Sequence, residues 1–161
     1  MMDQRELRDI LGSYATGIAV VTCRDARGKR HAMTINSFAS VSLSPPRVLW
    51  SIGEESDQFA AFNEATHYAI NILSADHQEL SKHFATPMDD KFEGVGSHDG
   101  MFGLPLLADC CAVLQCEIVE RIKTGDHNIL IGEILDAERE PRQPLIFHRS
   151  QYHALAVADG Q

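Results

Sequence analysis

The chain has 161 residues, 44% of them hydrophobic and 23% charged, which suits one globular domain with a sizeable core rather than a disordered or fibrous protein. Fourteen Lys and Arg stand against 23 Asp and Glu, giving a net charge of −9 with no basic run, so a nucleic-acid partner is excluded from the reading. The N-terminal MMDQRELRDILGSYA has no signal-peptide core and no apolar stretch approaches about eighteen residues, so a soluble, cytoplasmic protein without a membrane partner is expected.

In chain order, Leu7, Ile10, Leu11 and Tyr14 recur at helical spacing and predict an amphipathic helix over 3–14. GIAVVTC (Gly17 to Cys23) is β-branched and apolar, DARGK (Asp25 to Lys29) is turn chemistry, and RHAMTINSF reads as the hairpin partner. SPPR (Ser44 to Arg47) breaks the chain before the strand RVLWSIG. Ser56 is placed to cap a helix bearing Phe59, Ala60 and Phe62. HYAINIL (His67 to Leu73) reads as a strand, and a second helix from Ser74 presents His77, Leu80 and Phe84 before Pro87. Gly94 to Gly103 reads as loop. Two long strands, CAVLQCEIVERI (Cys111 to Ile122) and NILIGEILDAE, flank the turn TGDH (Thr124 to His127), and the short runs LIFHR and YHALAV follow. About seven or eight strands with three short helices leave too few helices for crossovers, so a closed antiparallel barrel with peripheral helices is favoured over a doubly wound sheet.

One stretch is unusual for a strand. MTINSFASVSLSPP (Met33 to Pro46) carries Thr34, Asn36, Ser37, Ser40, Ser42 and Ser44 where charged or β-branched partners are ordinary, so the surface it forms is made of small, uncharged hydrogen-bonding groups. Other constellations carry less. GVGSHDG (Gly94 to Gly100) has GxGxxxG spacing and follows no strand, so it is not read as a dinucleotide fingerprint. His77 and His83, six apart, fall on opposite faces of a helix and are not read as metal ligands, and no metal is expected. Cys23, Cys110, Cys111 and Cys116 include no CxxC pair and read as plain buried thiols in a reducing compartment. Asp126-His127 sits in a turn at a barrel mouth, where a histidine is either functional or merely solvated.

Taken together, YATGIAVVT (Tyr14 to Thr22), HAMTINSFASVSLSPP (His31 to Pro46), SIGEES (Ser51 to Ser56), YAINILSADHQELSKHFA (Tyr68 to Ala85), Lys91-Phe92, GLP (Gly103 to Pro105), GDHNILIGEI (Gly125 to Ile134) and PLIFHRSQYHAL (Pro144 to Leu155) resemble the short-chain flavin reductases, the reductase components of two-component flavin-dependent monooxygenases. The match runs through nearly the whole chain in order. The resemblance implies a mainly β fold, an antiparallel Greek-key split barrel that binds FMN or FAD, as a single domain over 1–161 and usually as a homodimer. It implies reduction of that flavin by NADH or NADPH and delivery of reduced flavin to a separate oxygenase. The alternative is a non-catalytic flavin-binding protein on the same barrel.

By position, the resemblance assigns Thr34, Asn36, Ser37, Phe38, Ser40 and Val41 to the flavin ring and ribityl chain. Ser51, Ile52, Glu55, Ser56 and Asp57 match the flavin-tail segment, and Phe84, Ala85, Lys91 and Phe92 match a region closing over it. Asp126, His127 and Tyr152 match the nicotinamide side, with His127 the catalytic candidate. Small hydroxyl and amide groups suit this role, because they let a flat heterocycle with polar edges approach the backbone. Glu54, Glu55 and Asp57 depart from what a phosphate-bearing tail favours, since like charges repel.

Overall fold

Val20 and Val21 are neighbours on one strand, point to opposite sides and are both fully buried, so the sheet that holds them is covered on two faces. The computed structural model describes residues 2–156. Three helices, α1 (Gln4–Leu11), α2 (Phe59–Glu64) and α3 (Gln78–Ala85), surround the strands β1 (Thr16–Gly17), β2 (Ala19–Arg24), β3 (Arg30–Ile35), β4 (Ala39–Leu43), β5 (Pro46–Gly53) and β6 (His67–Ile72). The later strands are β7 (Ser97–Asp99), β8 (Pro105–Leu107), β9 (Ala112–Thr124), β10 (His127–Arg139), β11 (Ile146–His148) and β12 (Gln151–His153). Seven of them form one antiparallel sheet in the order β3-β2-β6-β9-β10-β5-β4. The other five are pieces of two or three residues in two small sheets, which accounts for the excess over the expected strand count.

The order of that sheet dictates its shape. Its two edge strands, β3 and β4, are consecutive in the chain and joined only by residues 36–38. Laid flat, six gaps of about 4.8 Å would separate those edges by roughly 29 Å. The chain from Ile35 to Ala39 spans at most about 14 Å. The sheet therefore curls until its edges approach, and the barrel closes along a seam at 36–38.

Inside the barrel Trp50 packs edge-on against Phe62 of α2 (5.0 Å between ring centres) and Tyr68 (5.8 Å), with Val21, Ile52, Ile70, Cys116 and Leu130 around them. A second core lies outside the sheet, where Val20, Ala69 and Leu73 meet Phe84 of α3, Phe92 and Leu104 to Leu107. The two faces of β2 and β6 feed the two cores in alternation, as a period of two requires. Gly132 faces Tyr68: a methyl at that position would lie 2.3 Å from the phenol oxygen, so only glycine lets β10 pass the ring. Gly125, at φ 58°, makes the two-residue turn between β9 and β10.

The run Met33 to Pro46 is not one strand. It breaks after Ile35 and resumes at Ala39 on the far edge of the sheet. Helix α1 stops at Leu11, where Gly12 closes it. Ser56 is not the α2 cap: that position is Gln58, whose N–H donates to the Ser56 hydroxyl at 3.2 Å. Ser74 opens a 3-10 turn, Ala75–His77, ahead of α3. The glycine-rich loop contains β7, held by β8. The final run is strand only over Gln151–His153, and position 157 lies outside the described residues. Cys23, Cys110 and Cys116 are buried free thiols, as read from the sequence, and burial pushes all three up to about 12; Cys111 is only half-buried. No helix is long and apolar enough to cross a membrane among the described residues.

Gly132→Ala drives a methyl into a phenol that has no room to retreat and is expected to cost about 1–3 kcal/mol. At this chain length that lowers Tm by roughly 2–4 °C for each kcal/mol, read by thermal denaturation.

Candidate functional site

The seam is held by one hydroxyl. Ser37 Oγ donates to the Ser51 carbonyl (3.2 Å) and accepts from the Ser51 N–H (3.1 Å), doing for residues 36–38 what a ladder pair does elsewhere in the sheet. Thr34 Oγ1 donates to the Ser81 carbonyl of α3 (2.6 Å), and Ser81 Oγ meets the Tyr152 hydroxyl (2.9 Å). One residue of α3 thus links β3 to the β11-β12 hairpin, where Tyr152 also packs on Phe147. Of the hydroxyl-rich run, Thr34, Ser37 and Ser42 are engaged within the protein. Asn36 and Ser40 are exposed. As an edge strand β4 has a ladder on one side only, and its register shifts between Ser40 and Ser42, so Val41 sits on a bulge with its side chain 48% exposed. Small polar side chains line the seam. That is a surface suited to a planar polar ligand.

His127 lies two strands away on the same face. It pairs with Gly53 across the β10-β5 ladder, with Ile129 opposite Ser51, and directly opposed residues share a face. Two lateral steps of about 4.8 Å and two residues of about 3.4 Å along the strand put His127 roughly 12 Å from Ser37. The imidazole packs over Gly53, where a methyl would stand 3.4 Å from Nε2. Nδ1 meets Asp126 Oδ1 at 2.7 Å. A carboxylate only accepts, so Nδ1 donates and Nε2 is left for a ligand. The same hydrogen bond holds the Asp126 carboxyl below the usual carboxylate range. The Glu54 N–H donates to the Asp126 carbonyl (2.9 Å), locking the histidine turn onto the end of β5.

Two of the three exposed carboxylates of the 51–57 segment have partners: Glu54 pairs with Lys123 at 2.7 Å and Asp57 accepts from Gln58 Nε2 at 3.1 Å. Gln58 Oε1 lies 3.2 Å from His31 Nδ1, and the other His31 nitrogen meets Asp25 at 3.0 Å, which lowers the Asp25 carboxyl. Ser56 is half-buried, with its hydroxyl turned to Gln58.

Several expected site residues are interior. Ile52, Phe84 and Phe92 belong to the cores. Lys91 is only 4% exposed; its Nζ donates to the carbonyls of Phe84 (3.1 Å) and Thr86 (2.8 Å). Burial lowers its pKa, with Asp57 pulling the other way. These side chains stiffen the wall behind the seam, while Ala85 stays exposed and Phe38 half-buried.

Sequence reasoning missed the cleft beside the seam. It encloses about 770 Å³ and is bordered by Tyr14, Thr16, Asn36, Ser37, Phe147 and Arg149. Arg149 and Ser150 both adopt left-handed φ, 48° and 61°, in the hairpin turn. Neither residue type announces that conformation, so the turn carried no sequence signal.

The flavin reductase like domain model matches residues 11–156. The chain belongs to the flavin reductase family. It is 41% identical over 145 residues to an FMN reductase (NADH), SmoA, of Agrobacterium fabrum, covering 90% of this chain and 82% of that protein. It is 38% identical over 158 residues to a probable flavin reductase of Rhizobium meliloti, covering 98% of this chain but only 51% of that protein; against this relative the chain spans about half the length. Among solved structures, the Streptomyces globisporus NADH:FAD oxidoreductase SgcE6, in complex with NAD and FAD fragments, superposes with a TM-score of 0.93 at 34% identity, covering 98% of this chain and 96% of that one. The mainly β split barrel is therefore a flavin reductase barrel.

Because Ser37 closes the barrel, Ser37→Ala is expected to cost about 1–3 kcal/mol by leaving the Ser51 amide and carbonyl unpaired. Asn36→Ala, on an exposed neighbour, should stay within about 0.5 kcal/mol of the parent. Parallel urea denaturation of the two variants reads the difference.

Proposed function

We propose that this chain is an NAD(P)H-dependent flavin reductase, with the seam 36–41 as the flavin seat and His127 as the group that orients the nicotinamide. One observation carries the reading: the exposed Asn36, next to Ser37 on the seam, shares one end of the barrel with a histidine whose Nε2 is unengaged, roughly 12 Å from Ser37. The flavin, when bound, supplies the hydride chemistry. The protein's part is placement. Thr34, Asn36, Ser37, Phe38, Ser40 and Val41 form the seat, with backbone N–H groups directed at the polar edge of the ring. Ser51 to Asp57 run along the tail; Lys123 offsets the charge of Glu54, so an anionic tail meets less repulsion there than the bare sequence suggests. Phe84, Ala85, Lys91 and Phe92 back the seat. Nε2 of His127, with Nδ1 committed to Asp126, is free to hold the nicotinamide carboxamide, and Tyr152, fixed by Ser81, packs the entry.

The reading covers 1–161 as one flavin-reductase domain, supported by the family match over 11–156. A transient oxygenase partner that consumes the reduced flavin follows from the resemblance to reductase components. A second copy of the chain is the proposed cover for the face of α1 that carries Leu7 and Ile10, exposed at 45% and 51% on a helix that buries none of its residues. Light scattering should give twice 17.8 kDa; a stable monomer at micromolar concentration contradicts the pairing.

NADH oxidation with added FMN, FAD and riboflavin tests the function, and absence of turnover with all three would leave only a flavin-binding protein. His127→Ala is expected to retain the fold and flavin binding while slowing flavin reduction at saturating NADH by at least about tenfold, since alignment errors near 1 Å carry penalties of that order or larger. Stopped-flow absorbance at the flavin band measures it.

A further inference from the structure

The cleft beside the seam ends on two arginines. Arg8 of α1 and Arg149 of the β11-β12 turn border both this cleft and an adjoining hollow of about 440 Å³. Gly12 ties their backbones together: its N–H donates to the Arg8 carbonyl (2.8 Å), and its carbonyl accepts from the Arg149 N–H (3.0 Å). Among the described residues neither guanidinium forms an ion pair, although acidic groups outnumber basic ones by 23 to 14. Glu6 and Asp9 border the smaller hollow, while the larger cleft has no carboxylate on its walls. Two unpaired guanidiniums on a cleft free of acids favour a phosphate, which arginine binds through paired N–H groups.

The cleft also reaches the seam. Its walls include Asn36 and Ser37, and Phe147, which packs on Tyr152. Tyr152 belongs to the nicotinamide side in the proposed reading, whereas none of the segment 51–57 assigned to the flavin tail borders the cleft. From this arrangement we infer that Arg8 and Arg149 bind the pyrophosphate of the nicotinamide dinucleotide, holding its far half in the cleft while the reacting ring lies over the seat. The inference rests on the flavin-reductase reading and extends it to the second substrate. Arg149 is the stronger contact, because its left-handed turn and the Gly12 hydrogen bond fix its backbone. Arg8 closes the far side from an exposed helix.

The test compares NADH with dihydronicotinamide riboside, which carries the same reacting ring and no phosphate. Arg149→Ala is expected to lower kcat/KM for NADH about tenfold, to leave the riboside within about twofold, and to be substantially rescued by Arg149→Lys. Arg8→Ala should act in the same direction and more weakly. Titration of NAD+ into the flavin-loaded protein should show the matching rise in Kd, independent of turnover. Equal losses with NADH and the riboside would mean that the arginines act only on the fold, and unchanged NADH kinetics with unchanged Kd would remove them from the site. A loss confined to FMN, with riboflavin spared, would place the flavin phosphate there and overturn the assignment. Wild-type protein that oxidises no NADH would instead refute the flavin-reductase reading, and the NAD+ titration would then decide the arginines alone.

Discussion

The architecture depends on a short crossing. Three residues, 36–38, carry the chain from one edge of a seven-stranded sheet to the other, and so few residues force the sheet to close. Closure leaves a seam where a complete ladder is not possible, and Ser37 supplies the missing pair of hydrogen bonds to Ser51. The same irregularity exposes Asn36 and sets Val41 on a bulge. A barrel with perfect ladders would have no such groups to offer a ligand. The proposed seat is therefore a consequence of how the barrel closes.

The rest of the molecule positions groups around that seam. The long β9-β10 hairpin, turned at Gly125, projects His127 onto the end of β5, where the ring packs against Gly53. On the other side, Ser81 of α3 holds both Thr34 and Tyr152, so the helix sets the spacing between β3 and the C-terminal hairpin. The core aromatics Trp50, Phe62 and Tyr68 sit behind β5 and keep its outward residues, Ser51 and Gly53, at a fixed height.

Much of this was legible in the sequence, for identifiable reasons. The strands β2, β5, β6, β9 and β10 have strong periodicity and β-branched content, and the turn at Gly125 has its own chemistry. The hydroxyl-rich run stood out because its residue types are wrong for an ordinary strand. What composition could not separate was hydroxyls that face a ligand from hydroxyls that hold the fold: Ser37 and Thr34 have tertiary partners that lie 14 and 47 residues away. The burial of Lys91 was equally hidden, because a lysine bonded to two backbone carbonyls looks in sequence like any surface cation. The break at 36–38 was missed because sheet topology, rather than local propensity, ends β3 there.

In the proposed reading, flavin sits on the closure seam. Hydrogen–deuterium exchange of the protein with and without FMN tests it directly. Adding FMN is expected to slow exchange in peptides covering 36–41 and 51–57, with the 125–128 turn slowed further only when NAD+ is also present. Protection confined to other surfaces, with exchange at 36–41 unchanged by FMN, would contradict it.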